Sequence, residues 1–128
     1  MRVLLDTHAL LWWLNDNEAL PPTARRVIGR DGNEVLVSAA SAWEIATKVR
    51  LGRLESGADL ARDFIGYLDS EQFAQLPISV DHATRAGLLP GPHKDPFDRM
   101  LVAQALTENV PIVSNDTALD LYGVRRIW

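Results

Sequence analysis

The chain has 128 residues, a formal net charge of −4 and no cysteine. A single domain over residues 1–128 is the natural size, able to bury roughly two-thirds of its unfolded surface. The missing cysteines exclude disulfides, thiolate zinc sites and cysteine nucleophiles. The acidic balance argues against a general nucleic-acid coat. With no basic-plus-apolar leader and no apolar run of membrane length, a soluble cytoplasmic protein is expected.

Arg2-Val3-Leu4-Leu5-Asp6-Thr7 opens the chain, an apolar run cut off at a carboxylate. A short run of this kind that does not alternate suits a strand buried on both faces. A helical pattern over residues 8–14 follows at once. Leu20-Pro21-Pro22-Thr23 interrupts it, and Pro22 or Thr23 opens a second helix to residue 28. Residues 29–33 form a turn around Asp31-Gly32-Asn33, and residues 34–37 a second strand ending at Ser38. A long helix is predicted over residues 39–51, closed by Gly52 as its C′ residue. A weaker helix follows at 58–68, with Leu60, Phe64 and Leu68 on one face.

Residues 76–79 read as a poor strand, because Pro77 confines it to an edge or a strand start. Residues 81–88 are helical, with Asp81 as the N-cap candidate. Leu89-Pro90-Gly91-Pro92-His93-Lys94 is a loop by composition. Asp95-Pro96 starts a strong helix to residue 108. A strand at 111–114, a short helix at 117–121 and an edge strand at 124–127 complete the chain. Strands separated by helices throughout imply βαβ crossovers. The expected fold is α/β, a three-layer αβα sandwich around a mostly parallel sheet.

Four acids draw the eye, and each has an ordinary explanation. Ser41-Ala42-Trp43-Glu44 fits a capping box, Asp95-Pro96 fits an N-cap followed by proline at N1, and Asp98 then falls at N3. Asp116 and Asp6 precede helices as N-cap candidates. Their positions taken together say more. Asp6 and Asp116 follow strands, while Glu44 and Asp98 lie in the first turns of helices. In a parallel α/β sheet all four therefore face one edge, the edge where ligands bind. Two carboxylates 4 Å apart repel by roughly 4 kcal/mol at an effective dielectric near 20. A hard cation offsets that repulsion, which makes Mg2+ or Mn2+ the natural cofactor. Such a site is equipped for phosphodiester hydrolysis without a cysteine or histidine nucleophile.

The remaining signals are read more plainly. Of the 13 basic residues 11 are arginine, grouped as Arg25-Arg26-Arg30, Lys48-Arg50-Arg53 and Arg125-Arg126. These groups are expected to be mostly solvated helix faces, although the guanidinium fork suits phosphate. Lys48 stands at i+4 from Glu44 and pairs with it or reaches a phosphate. Arg99 points about 100° from Asp98 around the helix, away from a substrate. His8 and His93 read as structural or solvent-facing, His93 as part of a mobile loop. Leu11, Trp12, Trp13 and Trp43 are expected mainly in the core.

Several stretches together resemble PIN-domain proteins, and specifically the VapC-like ribonuclease toxins of bacterial type II toxin–antitoxin pairs. These are Val3-Leu4-Leu5-Asp6-Thr7, Ser41-Ala42-Trp43-Glu44-Ile45-Ala46-Thr47-Lys48, His93-Lys94-Asp95-Pro96-Phe97-Asp98-Arg99 and Val113-Ser114-Asn115-Asp116. The likeness spans nearly the whole chain in the family's order, and none of its acids is missing. It implies that Asp6, Glu44 and Asp98 are catalytic metal ligands. Asp116 would be the fourth acid, holding a second metal or a water, with the hydroxyls of Thr7 and Ser114 in support. It further implies an RNA substrate, a homodimer, and a cognate VapB-like antitoxin whose tail fills a groove beside the site.

Two other readings compete. A receiver-like phosphoacceptor has similar length and strand-end acids, but it needs adjacent acids after the first strand and a late lysine. Here Thr7 follows Asp6, and Ser114-Asn115-Asp116 carries no lysine. A non-catalytic interaction module would use the acids only as helix caps.

Overall fold

A computed structural model describes residues 1–128. The first strand, β1 (Arg2–Leu5), is central to a five-stranded parallel sheet. The other strands are β2 (Glu34–Ser38), β3 (Ala74–Leu76), β4 (Ile112–Val113) and β5 (Arg126–Ile127). The strand order is β3-β2-β1-β4-β5, with β1 paired to β2 on one side and to β4 on the other. The chain thus winds outward from β1 to β3, returns, and winds outward again from β4 to β5. The β1–β4 boundary is a topological switch point, where crevices form at strand C-termini in open α/β sheets.

The helices are α1 (Thr7–Leu14), α2 (Pro22–Gly29), α3 (Ala39–Arg50), α4 (Ala58–Arg62), α5 (Phe64–Glu71), α6 (Val80–Leu88) and α7 (Pro96–Glu108). Successive β1 side chains point to opposite faces, and the core is divided accordingly. Val3 and Leu5 join Val35, Val37 and Val113 against Leu10 of α1, Ile28 of α2, Ile45 of α3 and Leu68 of α5. Leu4 joins Leu36 and Ile112 against Leu101, Val102 and Ala105 of α7. Both faces of β1 are covered, so all three of its apolar residues are fully buried. That is why the run does not alternate. Three layers result.

Four expectations are corrected. The helix predicted over 58–68 is two helices, because Asp63 leaves the helical region at φ −146°, ψ 69°. Its carboxylate instead accepts the Gly66 amide at 3.1 Å and starts α5. A side chain at 66 would collide with it, since a Cβ there would lie 2.2 Å from Asp63 Oδ2. The third strand pairs as Ala74–Leu76 with Leu36–Ser38, two residues before the predicted start, and Pro77 ends it.

Ser79, not Asp81, caps α6: its hydroxyl accepts the His82 amide while His82 Nδ1 accepts the Ser79 amide. The segment Thr117–Tyr122 is 3-10 rather than α-helical. No helix is long and apolar enough to cross a membrane.

Candidate active site

At the C-terminal edge of β1 and β4 lies a cleft of about 280 Å³ lined by Asp6, Thr7, His8, Glu44, Lys48, Asp95, Asp98, Asn115 and Asp116. No hydrophobic side chain lines it. Five carboxylates face one lysine, so this is the most concentrated negative charge that the fold assembles. A larger surface hollow bordered by Met1, Arg26 and Arg30 lies away from these acids and gathers none of them.

Each acid arrives by a different local route. Asp6 ends β1 and caps α1, its Oδ1 accepting the Ala9 amide at 2.8 Å. Asp116 follows β4 and caps the 3-10 segment through Ala118 N at 3.0 Å. Asp95 caps α7 by accepting the amides of Phe97 and Asp98. The capping explanation is thus correct for these three, and it uses Oδ1 in each.

Asp98 keeps the expected N3 position of α7, but the explanation fails for Glu44. Ser38 caps α3 through the Ala40 amide, and Ser41 Oγ accepts instead from Thr7 Oγ1 at 3.0 Å. The capping box expected of Ser41 and Glu44 therefore does not form. Glu44 projects into the cleft, where Oε2 takes Lys48 Nζ at 2.5 Å. Its Oε1 is buried without any hydrogen-bond partner. Leaving a buried carboxylate oxygen unmatched costs on the order of 1–3 kcal/mol. A helix-stabilising residue has no reason to do so, whereas a metal ligand does.

The electrostatics agree with crowding. Burial pushes the Asp6 carboxyl up from its ordinary value, with Glu44 adding to the rise; Ser114, the Ala9 amide and His8 pull the other way. Asp98 is pushed up to about 7, first by burial and then by the charges of Asp95, Glu44 and Asp6, with His93 drawing it back. Asp98 thus responds to every other acid of the cleft except Asp116, and His93 links it to that one. Its Nε2 lies 3.2 Å from Asp98 Oδ2 and 3.3 Å from Asp116 Oδ2.

The structure thus brings Asp6, Glu44, Asp98 and Asp116 to one cleft, with Thr7 in its wall. Ser114 is fully buried behind it, its Oγ accepting the Asp116 amide at 3.1 Å. His93 is the residue that sequence reasoning undervalued. Its ring is largely buried against the Asp98 and Asp116 carboxylates, and nothing in a Pro/Gly-rich loop signals where it will point.

Other expectations shift too. Trp43 is 64% exposed, not core, and packs edge-on against Phe97 with ring centroids 5.0 Å apart. Trp12 and Trp13 pack partly buried against the α1 side of the core. His8 is exposed and rests 5.6 Å from the Trp12 ring. Arg126 is engaged with Asp120 and the Ser114 carbonyl, and Arg25 with Asp16, so neither stands free for phosphate.

A parallel sheet with strand-end acids converging at its switch point defines an α/β domain with a carboxylate cluster at the edge where ligands bind. The sheet order also separates it from receiver domains, whose flavodoxin-like order is 2-1-3-4-5. The PIN domain model matches residues 3–124, and the chain belongs to that family. Ribonuclease VapC22 of Mycobacterium tuberculosis is 29% identical over 120 residues, covering 91% of this chain and 88% of the relative. The crystal structure of VapC20 from the same organism, a sarcin-ricin loop cleaving toxin, superposes with a TM-score of 0.70 at 16% identity, covering 95% of each chain. VapBC2 from Rickettsia felis, crystallised bound to a promoter DNA fragment, gives 0.69 at 15% identity with both chains fully covered. At these identities the two structures speak for the fold.

Proposed function

We propose that this protein is a Mg2+- or Mn2+-dependent endoribonuclease, the toxin of a type II toxin–antitoxin pair. The observation that carries the reading is the Glu44 carboxylate, buried in an acidic cleft with one oxygen left unpartnered. Asp6, Glu44 and Asp98 would hold the cation, with Asp116 as the fourth acid. The donor set is all oxygen and carries the negative charge that a hard divalent ion prefers. The chemistry such an ion brings is activation of a water and neutralisation of charge building up at the phosphorus.

The protein's part is placement. Asp6 directly follows the central, fully buried strand of the sheet, its second oxygen free of the cap that holds the first. Thr7 Oγ1 ties the start of α1 to the first turn of α3, fixing Asp6 relative to Glu44. Lys48, the one lysine or arginine lining the cleft, is held by Glu44 Oε2 at 2.5 Å and offsets part of the site's negative charge.

The relatives' names point to RNA as substrate and a VapB-like antitoxin as partner, and a homodimeric toxin acting in the cytoplasm completes the proposed reading. Asp6→Asn and Asp98→Asn preserve shape and, in Asp6, the capping oxygen. Each is expected to reduce RNA cleavage in magnesium by at least a hundredfold, with an unchanged circular dichroism spectrum. Wild-type cleavage by either variant would refute the assignment. A non-catalytic module is the poorer reading, since neither Glu44 nor Asp98 caps a helix with its side chain.

A further inference from the structure

We propose that His93 is a positioning residue of this site, its Nε2–H hydrogen-bonding the Asp116 carboxylate while the same nitrogen lies against that of Asp98. The proposal rests on the reading that these acids take up a divalent cation.

The loop that carries His93 is pinned from both elements that carry the two acids. From α7, the Arg99 guanidinium donates to the carbonyls of Leu89 and His93, the latter at 3.0 Å. From the 3-10 segment, Tyr122 Oη accepts the His93 amide at 2.9 Å. Gly91 permits this close approach: its φ is +112°, and a Cβ there would lie 2.7 Å from the Tyr122 ring. A loop of such composition has no intrinsic reason to hold one shape. Three hydrogen bonds impose it.

The ring itself is oriented by its other nitrogen. His93 Nδ1 lies 3.4 Å from the Asp95 amide, which can only donate. In the neutral ring this assigns the lone pair to Nδ1 and the hydrogen to Nε2. Nε2–H then hydrogen-bonds Asp116 Oδ2 at 3.3 Å, and Asp98 Oδ2 lies 3.2 Å from the same nitrogen. No other side chain touches both. Without this donor the two carboxylates repel and turn apart, and the cation must reassemble them on binding. Hydrogen bonds of this kind to ligating carboxylates typically account for 10–100-fold in metal affinity.

Isothermal titration of metal-stripped, full-length protein with Mn2+ tests this at fixed pH. His93→Ala is expected to weaken binding about tenfold or more, and His93→Gln, whose amide still donates, by less. Tyr122→Phe removes one of the loop's three anchoring hydrogen bonds, the one to the His93 amide, without touching an acid, and is expected to weaken binding a few-fold. The electron spin-echo spectrum of bound Mn2+ is expected to show no directly bonded nitrogen.

Wild-type or tighter affinity in His93→Ala would overturn the proposal; tighter binding would mean that the ring merely fills the cation's place. A His93→Gln variant as weak as alanine, or a directly bonded nitrogen, would also overturn it. If the alanine variant does not fold, unchanged affinity in Tyr122→Phe decides against it. Failure of the wild type to bind millimolar Mn2+ would instead remove the metal reading itself, and this proposal with it.

Discussion

Raising the pH of the metal-free protein from 5 to 8 should lower its melting temperature, and Mn2+ should reverse the loss. The group responsible is Asp98, whose carboxyl is pushed from 3.8 to about 7 in the folded protein. A carboxyl with a raised folded-state pKa binds its proton more tightly folded than unfolded. Its contribution to stability is therefore complete below 3.8 and is lost as pH climbs through about 7. The full difference corresponds to about 4 kcal/mol at 1.36 kcal/mol per unit. The Asp98 side chain is 30% exposed, and solvent screening reduces the expected loss to about 1–2 kcal/mol.

For a domain of this size that is a fall of roughly 4–8 °C. Asp6, also raised by burial, acts in the same direction. A cation favours the ionised carboxylates, so the shift produced by Mn2+ should be small at pH 5.5 and large at pH 8. Occupancy at about 100 times Kd would add some 2.7 kcal/mol. Differential scanning calorimetry with and without Mn2+ measures both effects. Asp98→Asn, which cannot ionise, should flatten the metal-free profile and stabilise the protein at pH 8. A metal-free melting temperature that rises from pH 5 to 8, in wild type and Asp98→Asn alike, would refute the crowding argument.

Two further predictions concern the scaffold. Gln104 is fully buried on α7; its Oε1 accepts from Ser38 at 2.5 Å and its Nε2 donates to the Pro77 carbonyl at 3.2 Å. Gln104→Ala strands both partners and opens a cavity, so urea denaturation should show a loss of about 2–4 kcal/mol; a loss below about 0.5 kcal/mol would deny the network its role. Asp63→Ala removes the cap that starts α5 and should cost about 1 kcal/mol by the same measurement, whereas Asp63→Asn should cost little. Equal effects from the two substitutions would show that the cap is not the cause.

Some of this was readable before any coordinates. The Val3-Leu4-Leu5 run demanded a strand covered on both sides, and the proline after Asp95 marked the start of α7 to the residue. These are short-range effects of hydrophobic burial, fixed proline φ and side-chain caps. Where two local signals competed, local reading chose wrongly. Asp81 lost the cap of α6 to Ser79, because His82 completes a reciprocal pair with that serine. The apolar spacing of Leu60, Phe64 and Leu68 suggested one helix, but Asp63 spends its side chain on Gly66 and divides it.

By itself, the sequence determined the order of strands and helices, the layered class, and the placing of four acids at strand ends and helix starts. Periodicity and capping act over a few residues, so they are written locally. Only the tertiary structure decided which acids are helix caps and which are not. Ser41 was withdrawn from Glu44 by Thr7, a residue 34 positions away, and Oε1 of Glu44 was left buried and unpartnered. His93 was likewise turned onto Asp98 and Asp116 by Arg99 and Tyr122. Contacts of that range depend on how the layers pack, and no local pattern encodes them.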